Sequence, residues 1–414
     1  MPATLLRRNR NFRLVFSASA VSNLGDGVSA LAFPWLASLL TRDAMLISLV
    51  AMAGRLPWFL FALPAGVLTD RADRRRLMVR ADLVRMILTL GIVAMVLSLP
   101  ALPLAPGAGT AALLAVALVA FLLGTAEVLR DNAAQTVLPS IVDHADLERA
   151  NGQMWSAEQV MGQFAGPPLA GALIAAGIAL PFGFDAVTFT VAAALVWLVV
   201  LPPRAARPAQ RFWPAMREGI AWIARHRLIL RLAVMLGVVN MSYVAILTVL
   251  VLYAQEVLGL GAFGYGMLLT AGAAGGVIGG IVAPAIARRA GMRTSLCASL
   301  AAFGATHLLL ALAQSPALAG TALFFEALAG MLWNVVTVSY RQRTIPDDLL
   351  GRVNAIYRFF GWGAMPLGAL AGGALVSLGE GPLGRDLALR LPMFAAAGII
   401  ALLTLYALLR LRQD

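Results

Sequence analysis

The chain has 414 residues, 60% of them hydrophobic and only 13% charged, with a net charge of +12. Soluble domains carry about a quarter charged residues, so this composition excludes an ordinary water-soluble core and reads as apolar membrane spans of about 20 residues each. Every basic residue is an arginine, and the arginines scatter over short loops with no aromatic-interleaved stripe, which excludes nucleic acid as a partner. Cys297 is the single cysteine, and His144, His226 and His307 stand far apart. An internal disulfide is therefore impossible, and no His, Cys and carboxylate cluster has metal-ligand spacing. Neither metal nor cofactor is expected. No G-x-x-x-x-G-K-[ST] loop exists, since the chain has no lysine, so nucleotide hydrolysis is not the energy source.

Arg7, Arg8, Arg10 and Arg13 open the chain, before an apolar stretch that runs to about residue 40. A cleaved signal peptide has a much shorter apolar region, so this stretch reads as a retained membrane helix. Hydropathy predicts helices over 14–40, 44–69, 77–99, 110–131, 151–176, 183–201, 228–257, 264–287, 294–313, 317–341, 351–378 and 389–410. Loop charge tests the count. Arginines crowd the N-terminus, the 71–80 loop, the 204–227 stretch, the 288–293 loop and the C-terminus, while the loops near 100–109, 177–182 and 314–316 carry no charge. This alternation fits twelve spans with both termini cytoplasmic. The expected fold class is an all-α integral membrane protein of two pseudo-symmetric six-helix bundles.

The arginine-rich, proline-containing stretch 202–227 is the expected linker between an N-terminal bundle, 1–201, and a C-terminal bundle, 228–414. The two halves echo each other. Leu147-x-Arg149-x-Asn151 opens the fifth helix and Leu350-x-Arg352-x-Asn354 opens the eleventh, each ahead of a Gly/Pro-rich run. A repeat of this kind argues for a transporter whose binding site lies near the midplane.

Two motifs carry a resemblance to the major facilitator superfamily over the whole chain. The loop Gly66-x-x-x-Asp70-Arg71-x-Asp73-Arg74-Arg75 is similar to the superfamily signature between helices two and three, with Asp73 in place of a glycine. That variant, together with Asn11-Phe12-Arg13, Ser22-Asn23-Leu24-Gly25-Asp26 and Ile345-Pro346-Asp347, resembles the branch of macrolide exporters and the enterobactin exporter. In the fifth helix, Gly162-x-x-x-Gly166-Pro167-x-x-Ala170-Gly171 resembles the superfamily's antiporter motif. The resemblance implies export by exchange. It also implies a cytoplasmic gate in which Asp70 meets the start of the eleventh helix near Gly351, and Arg74 pairs with Asp131, beside Gly66 and Arg71.

Ionisable residues inside a span are costly and are functional candidates by default. Asp26, Arg55, Glu127, Glu158, Glu326 and Arg358 fall in this class. Asp26 and Arg55 lie at matching depths on consecutive helices. Asp26 is either a proton-carrying acid or the ionised partner of Arg55. Ser22, Asp26 and Ser29 share a helical face. Glu326, with Trp333 two turns on, is a second proton-coupling candidate or a packing acid bonded to a neighbour. Trp155, Gln159 and Gln163 recur at every fourth residue as a cavity-lining stripe, and Asn240, Tyr243 and Arg358 join the candidate cavity. Arg358 is open to pairing with Glu127, Glu158 or a gate carboxylate. His307, alone on an apolar helix, reads as a packed residue. Glu127 reads as gate electrostatics.

The leading expectation is a proton-coupled exporter of hydrophobic or amphiphilic small molecules in the bacterial inner (plasma) membrane, monomeric and in contact with membrane lipid. An importer or lysophospholipid flippase of the same fold, and a non-transporting scaffold or sensor, are the alternatives. No catalytic constellation is assembled by spacing, so an enzyme is not expected.

Overall fold

The computed structural model describes residues 5–100, 102–105, 107–143, 146–201 and 212–411. Among the described residues the chain is helical, with no strand. After a short turn at Leu5–Arg8 come α1 (Arg10–Leu40), α2 (Ala44–Arg71), α3 (Arg74–Ser98) and α4 (Thr110–Ile141). Next are α5 (Leu147–Glu158), a π-helical segment (Gln159–Ala165), α6 (Gly166–Ala176) and α7 (Leu180–Trp197). Beyond them lie α8 (Phe212–Arg225), α9 (Arg227–Glu256), α10 (Ala262–Leu312), α11 (Pro316–Thr344), α12 (Asp347–Gly363), α13 (Met365–Leu383) and α14 (Arg385–Arg410).

Among the described residues, nine helical stretches are long and apolar enough to cross a bilayer. One of them, α10, has 51 residues. A single crossing takes about 20, so α10 has the length of two. It bends at Gly291, whose φ of 76° lies in the left-handed region that a glycine enters without steric cost. α1 is long enough to cross but is diluted by Asp26 and its serines, and α5 with α6 is interrupted by the π segment. Counting α10 twice and adding these two gives the twelve spans read from hydropathy. The eleventh span is made of two helices, α12 and α13, which part at Ala364; Pro366 follows in the first turn of α13, where its missing N–H costs nothing. The linker is not featureless: α8 occupies Phe212–Arg225.

The chain divides into two compact units. The first is Met1–Ala205 with Leu260–Thr270, and the second is Ala206–Gly259 with Ala271–Asp414. In the first unit α2 packs on α4, α3 on α4 and α7, and α1 on α5, α6 and α7. In the second, α9 is central and packs on α12, α13 and α14, and α8 lies against α12. There Glu218 of α8 pairs with Arg352 of α12 at 2.5 Å.

Helix contacts in a membrane draw on close packing rather than on hydrophobic transfer, so small residues sit where backbones touch. α1 shows this on both sides of Asp26. A Cβ at Gly25 would fall 2.2 Å from the Asp185 carboxylate of α7, and one at Gly27 would fall 2.2 Å from the Gly162 carbonyl oxygen. Gly166 meets Gly27 from the other direction. Two glycines thus clamp α1 between α7 and the π segment and fix where Asp26 sits. We expect Gly27→Val to lower the thermal unfolding midpoint of the detergent-purified protein sharply, because overpacking of a rigid contact costs about 1–3 kcal/mol or more. Val at Gly91, where a Cβ meets nothing within 4 Å, is the control.

Candidate functional site

The residues with most to say about function lie inside the first unit, on five of its helices. Asp26 of α1 forms an ion pair with Arg85 of α3. Arg85 also donates to Ser22 at 3.2 Å, and its guanidinium lies 4.0 Å from the centre of the Phe189 ring. The second face of Arg85 approaches Asp82, one helical turn back, at 3.6 Å. Asp82 in turn lies 3.3 Å from Arg130 of α4, and Arg130 lies 3.4 Å from its neighbour Asp131. The result is an alternating ladder, Asp26–Arg85–Asp82–Arg130–Asp131, across α1, α3 and α4.

Burial along the ladder is uneven in a way that matters. The side chains of Arg85, Asp82 and Arg130 are 3%, 0% and 3% exposed, whereas those of Asp26 and Asp131 are 32% and 35% exposed. The middle is sealed and both ends are open. Charges taken out of water must be paired, and an isolated one would be prohibitively costly. Here Asp82 lies between the two guanidiniums at 3.6 and 3.3 Å, while their hydrogen bonds go outward, from Arg85 to Asp26 and from Arg130 to Asp131, and both Asp82 oxygens are left without a hydrogen-bond partner. Around the ladder, Glu127 of α4 lies within electrostatic reach of Asp26, Asp131, Arg85 and Arg55. Asp185 of α7 is fully buried and accepts hydrogen bonds from the hydroxyls of Ser29 and Thr188. Glu158, at the end of α5, is exposed.

The structure gives Asp26 an ion-pair partner in Arg85, a residue that hydropathy had hidden: Asp82 and Arg85 stand one turn apart within a long apolar run, close behind a loop already rich in arginine. Asp185 escaped notice because it falls near the start of its span. A signal was available for all three, since charge inside a span is itself the flag. The serines fare better, for Ser22 and Ser29 both enter this network, one bonding to Arg85 and the other to Asp185.

The antiporter-like motif spans the join between the π segment and α6. The Gly166 N–H donates to the Met161 carbonyl five residues back, the bonding step of a π-helix. Pro167 and Pro168 follow in the first turn of α6 and lack N–H groups of their own. Gly162 and Gly166 pack on α1, and a Cβ at Gly171 would fall 2.6 Å from the Cα of Phe263, in the part of α10 that belongs to the same unit. Along the same stretch Trp155 and Gln163 are exposed and Gln159 is half-buried, so the polar stripe is not consumed by the core.

Of the gate residues, the side chains of Gly66, Asp70, Arg71 and Gly351 lie outside the described residues. Arg74 donates to the Thr136 carbonyl at 2.5 Å and to Ser140 at 3.1 Å, so it anchors α3 to the last turns of α4. Asp131 has Arg130 as its salt-bridge partner.

In the second unit His307 is not alone. Its Nε2 lies 2.8 Å from the Glu326 carboxylate, and both side chains are buried. Trp333, on the Glu326 face of α11, is also buried. Asn240 donates to the Gly361 carbonyl at 2.8 Å, linking α9 to α12. Tyr243 is exposed. Arg358 is exposed, with its guanidinium 5.5 Å from the Trp362 ring centre. A buried arginine that hydropathy passed over, Arg341, bonds Asn354 at 2.8 Å and lies 3.8 Å from the Tyr357 ring centre. Among the described residues, no group of three or more His, Cys, Asp or Glu side chains is placed to hold a metal ion.

Comparison with known proteins agrees with this architecture. Residues 4–413 match the family described as transmembrane secretion effector. The multidrug efflux pump Tap of Mycobacterium tuberculosis is 26% identical over 410 residues, covering 94% of this chain and 92% of that protein. Tap of Mycolicibacterium fortuitum is 30% identical over 164 residues, and that match spans only 38% of its length. Macrolide efflux protein A of Streptococcus pyogenes is 33% identical over 73 residues, 18% of either chain. The crystal structure of a bacterial homologue of the iron transporter ferroportin superposes with a TM-score of 0.75 at 17% identity, covering 98% of this chain and 99% of that one, a likeness of fold. The chain, matched over nearly its full length and built of helices among the described residues, belongs to the transmembrane secretion effector family of the major facilitator superfamily, and is a multi-pass membrane transporter.

Proposed function

We propose that the protein is a proton-coupled exporter of hydrophobic or amphiphilic small molecules, working as a monomer by alternating access in the bacterial plasma membrane with both termini cytoplasmic. The observation that carries the reading is Asp26. It is a half-buried carboxylate deep in a membrane helix, clamped by Gly25 and Gly27 and held by a guanidinium that is itself sealed. Such a group is buried enough for protonation to matter and open enough for a proton to arrive. Export is supported by the efflux pumps among the relatives and by the glycine- and proline-rich motif of the π segment and α6.

Glu326 suits the coupling role less well. Glu326 is bonded to His307 Nε2 at 2.8 Å, both side chains are buried away from water, and the pair ties α10 to α11.

Two measurements test these assignments. In inside-out vesicles with an acid interior, wild-type protein should accumulate lipophilic drugs from a panel in proportion to the imposed gradient. Asp26→Asn should lower the ratio of gradient-driven to downhill flux by about tenfold, the size of a typical coupling free energy. An unaltered ratio would remove Asp26 from the coupling step. For the second pair, His307→Leu alone should destabilise the purified protein by about 1–3 kcal/mol, since it leaves the buried Glu326 carboxyl without its hydrogen-bond partner. His307→Leu combined with Glu326→Leu should unfold at a higher temperature than that single variant. A double variant less stable than the single would contradict the buried-pair assignment.

A further inference from the structure

In the second unit, α11 and α12 carry two guanidiniums that no acid of the unit answers. Arg341 of α11 is 8% exposed, and a guanidinium does not shed its charge in a protein. Its guanidinium lies 3.8 Å from the centre of the Tyr357 ring, and the Tyr357 hydroxyl donates to the Leu232 carbonyl of α9 at 3.4 Å, which holds that ring in place. Arg341 Nε donates to the Thr337 carbonyl at 3.3 Å, and Nη1 donates to Asn354 Oδ1 at 2.8 Å. A guanidinium has five N–H groups. These bonds use two of them, both on neutral acceptors, and Nη2 bonds nothing among the described residues.

Arg358 stands one turn beyond Asn354 on α12. It is exposed, makes no hydrogen bond or ion pair among the described residues, and lies within electrostatic reach of Arg341. Like charges repel, so this closeness is unfavourable until an anion joins them. The described carboxylates of the unit are engaged elsewhere: Glu218 with Arg352, Glu256 and Glu380 with Arg385, Asp386 with Arg390, and Glu326 with His307. The C-terminus of α11 supplies about half a negative charge. Arg341 and Arg343 already share it in the last turn, so it does not balance the site. Beside Arg358 the rings of Phe359, Phe360 and Trp362 are exposed, and apolar surface therefore adjoins the positive charge.

We infer that Arg341 and Arg358 form a binding site for the anionic headgroup of an amphiphile, a carboxylate, sulfonate or phosphate on an apolar tail. The free N–H groups of the two guanidiniums offer the forked donors that such oxyanions accept. Tyr357 and Asn354 hold Arg341 before the ligand arrives, so little of its freedom is lost on binding. Arg358 closes on the headgroup from the exposed side, and the neighbouring rings receive the tail. As a cargo site this rests on the amphiphile-exporter reading above. An anionic lipid headgroup offers the same chemistry.

The test uses purified full-length protein in phosphatidylcholine nanodiscs and probes that share one alkyl tail: decanesulfonate, decyltrimethylammonium and decyl maltoside. Equilibrium dialysis reads their affinities, and wild type should prefer decanesulfonate. Arg358→Gln and Arg341→Gln should each weaken decanesulfonate by about tenfold, the size of a hydrogen bond to a charged group, and leave the other two probes unchanged. Arg358→Lys keeps the charge and should keep the preference. Arg358 is exposed, so the test stands on its variants even where Arg341→Gln does not fold. The inference is overturned if wild type shows no preference for decanesulfonate, if Arg358→Gln binds it as wild type does, or if Arg358→Gln loses all three probes alike. Phosphatidylglycerol added to the discs separates the sources: competition with decanesulfonate marks a lipid headgroup as the occupant, and no competition marks cargo. Binding needs no proton gradient. An anion preference beside drug flux indifferent to the gradient would remove the coupling reading alone, and gradient-driven flux without an anion preference would remove this site alone.

Discussion

A guanidinium keeps its charge in any protein environment, and Arg85 and Arg130 are sealed within an apolar helix bundle. That constraint orders the first unit. Each arginine needs carboxylates within reach, and those acids must come from helices that can approach closely. α3 supplies Asp82 to both, α1 supplies Asp26 and α4 supplies Asp131. The packing of α3 on α4, and the placement of α1 beside them, are therefore conditions of electrical neutrality as much as of shape. Burying such a network adds little net stability against an apolar core, but losing one member is expensive.

The glycines do the complementary job. Without a hydrophobic force between helices in lipid, an acid is held in place by how tightly the backbones on either side of it fit. Gly25 and Gly27 bring α7 and the π segment to within a missing methyl group of α1, and Asp26 lies between them. The π segment is where the polar stripe, the small-residue contacts and the missing proline donors coincide. A π-helix is rare and tends to mark a functional position, and here it packs on the helix that carries Asp26.

Much of the fold was legible in the amino-acid order. Span length, uncharged alternate loops and the two motifs led to twelve helices of the major facilitator fold. The break at Gly291 falls inside the arginine-bearing loop expected between 264–287 and 294–313. The helix in the linker was not legible, because a short amphipathic helix leaves little trace in a hydropathy window. The site was half legible. Asp26, Ser22 and Ser29 stood out as polar residues on one face of an apolar helix. Arg85 and Asp82 did not, because opposite charges one turn apart look self-cancelling in sequence. Only the fold shows that each reaches past the other, Arg85 to α1 and Asp82 to α4. His307 reads as a packed residue and is buried as one, but its partner was not legible, since Glu326 lies on the following span, where sequence offers no cue to facing.

The two units consequently use buried charge in different ways. In the second unit, one base faces one acid, both are buried, and the pair joins adjacent spans. In the first unit, five charged groups alternate over three helices, with a sealed centre and two ends that meet water. A pair cut off from solvent can only hold helices together. Access to solvent, more than the strength of any single pair, separates such a staple from a charged group that an ion or a ligand can reach.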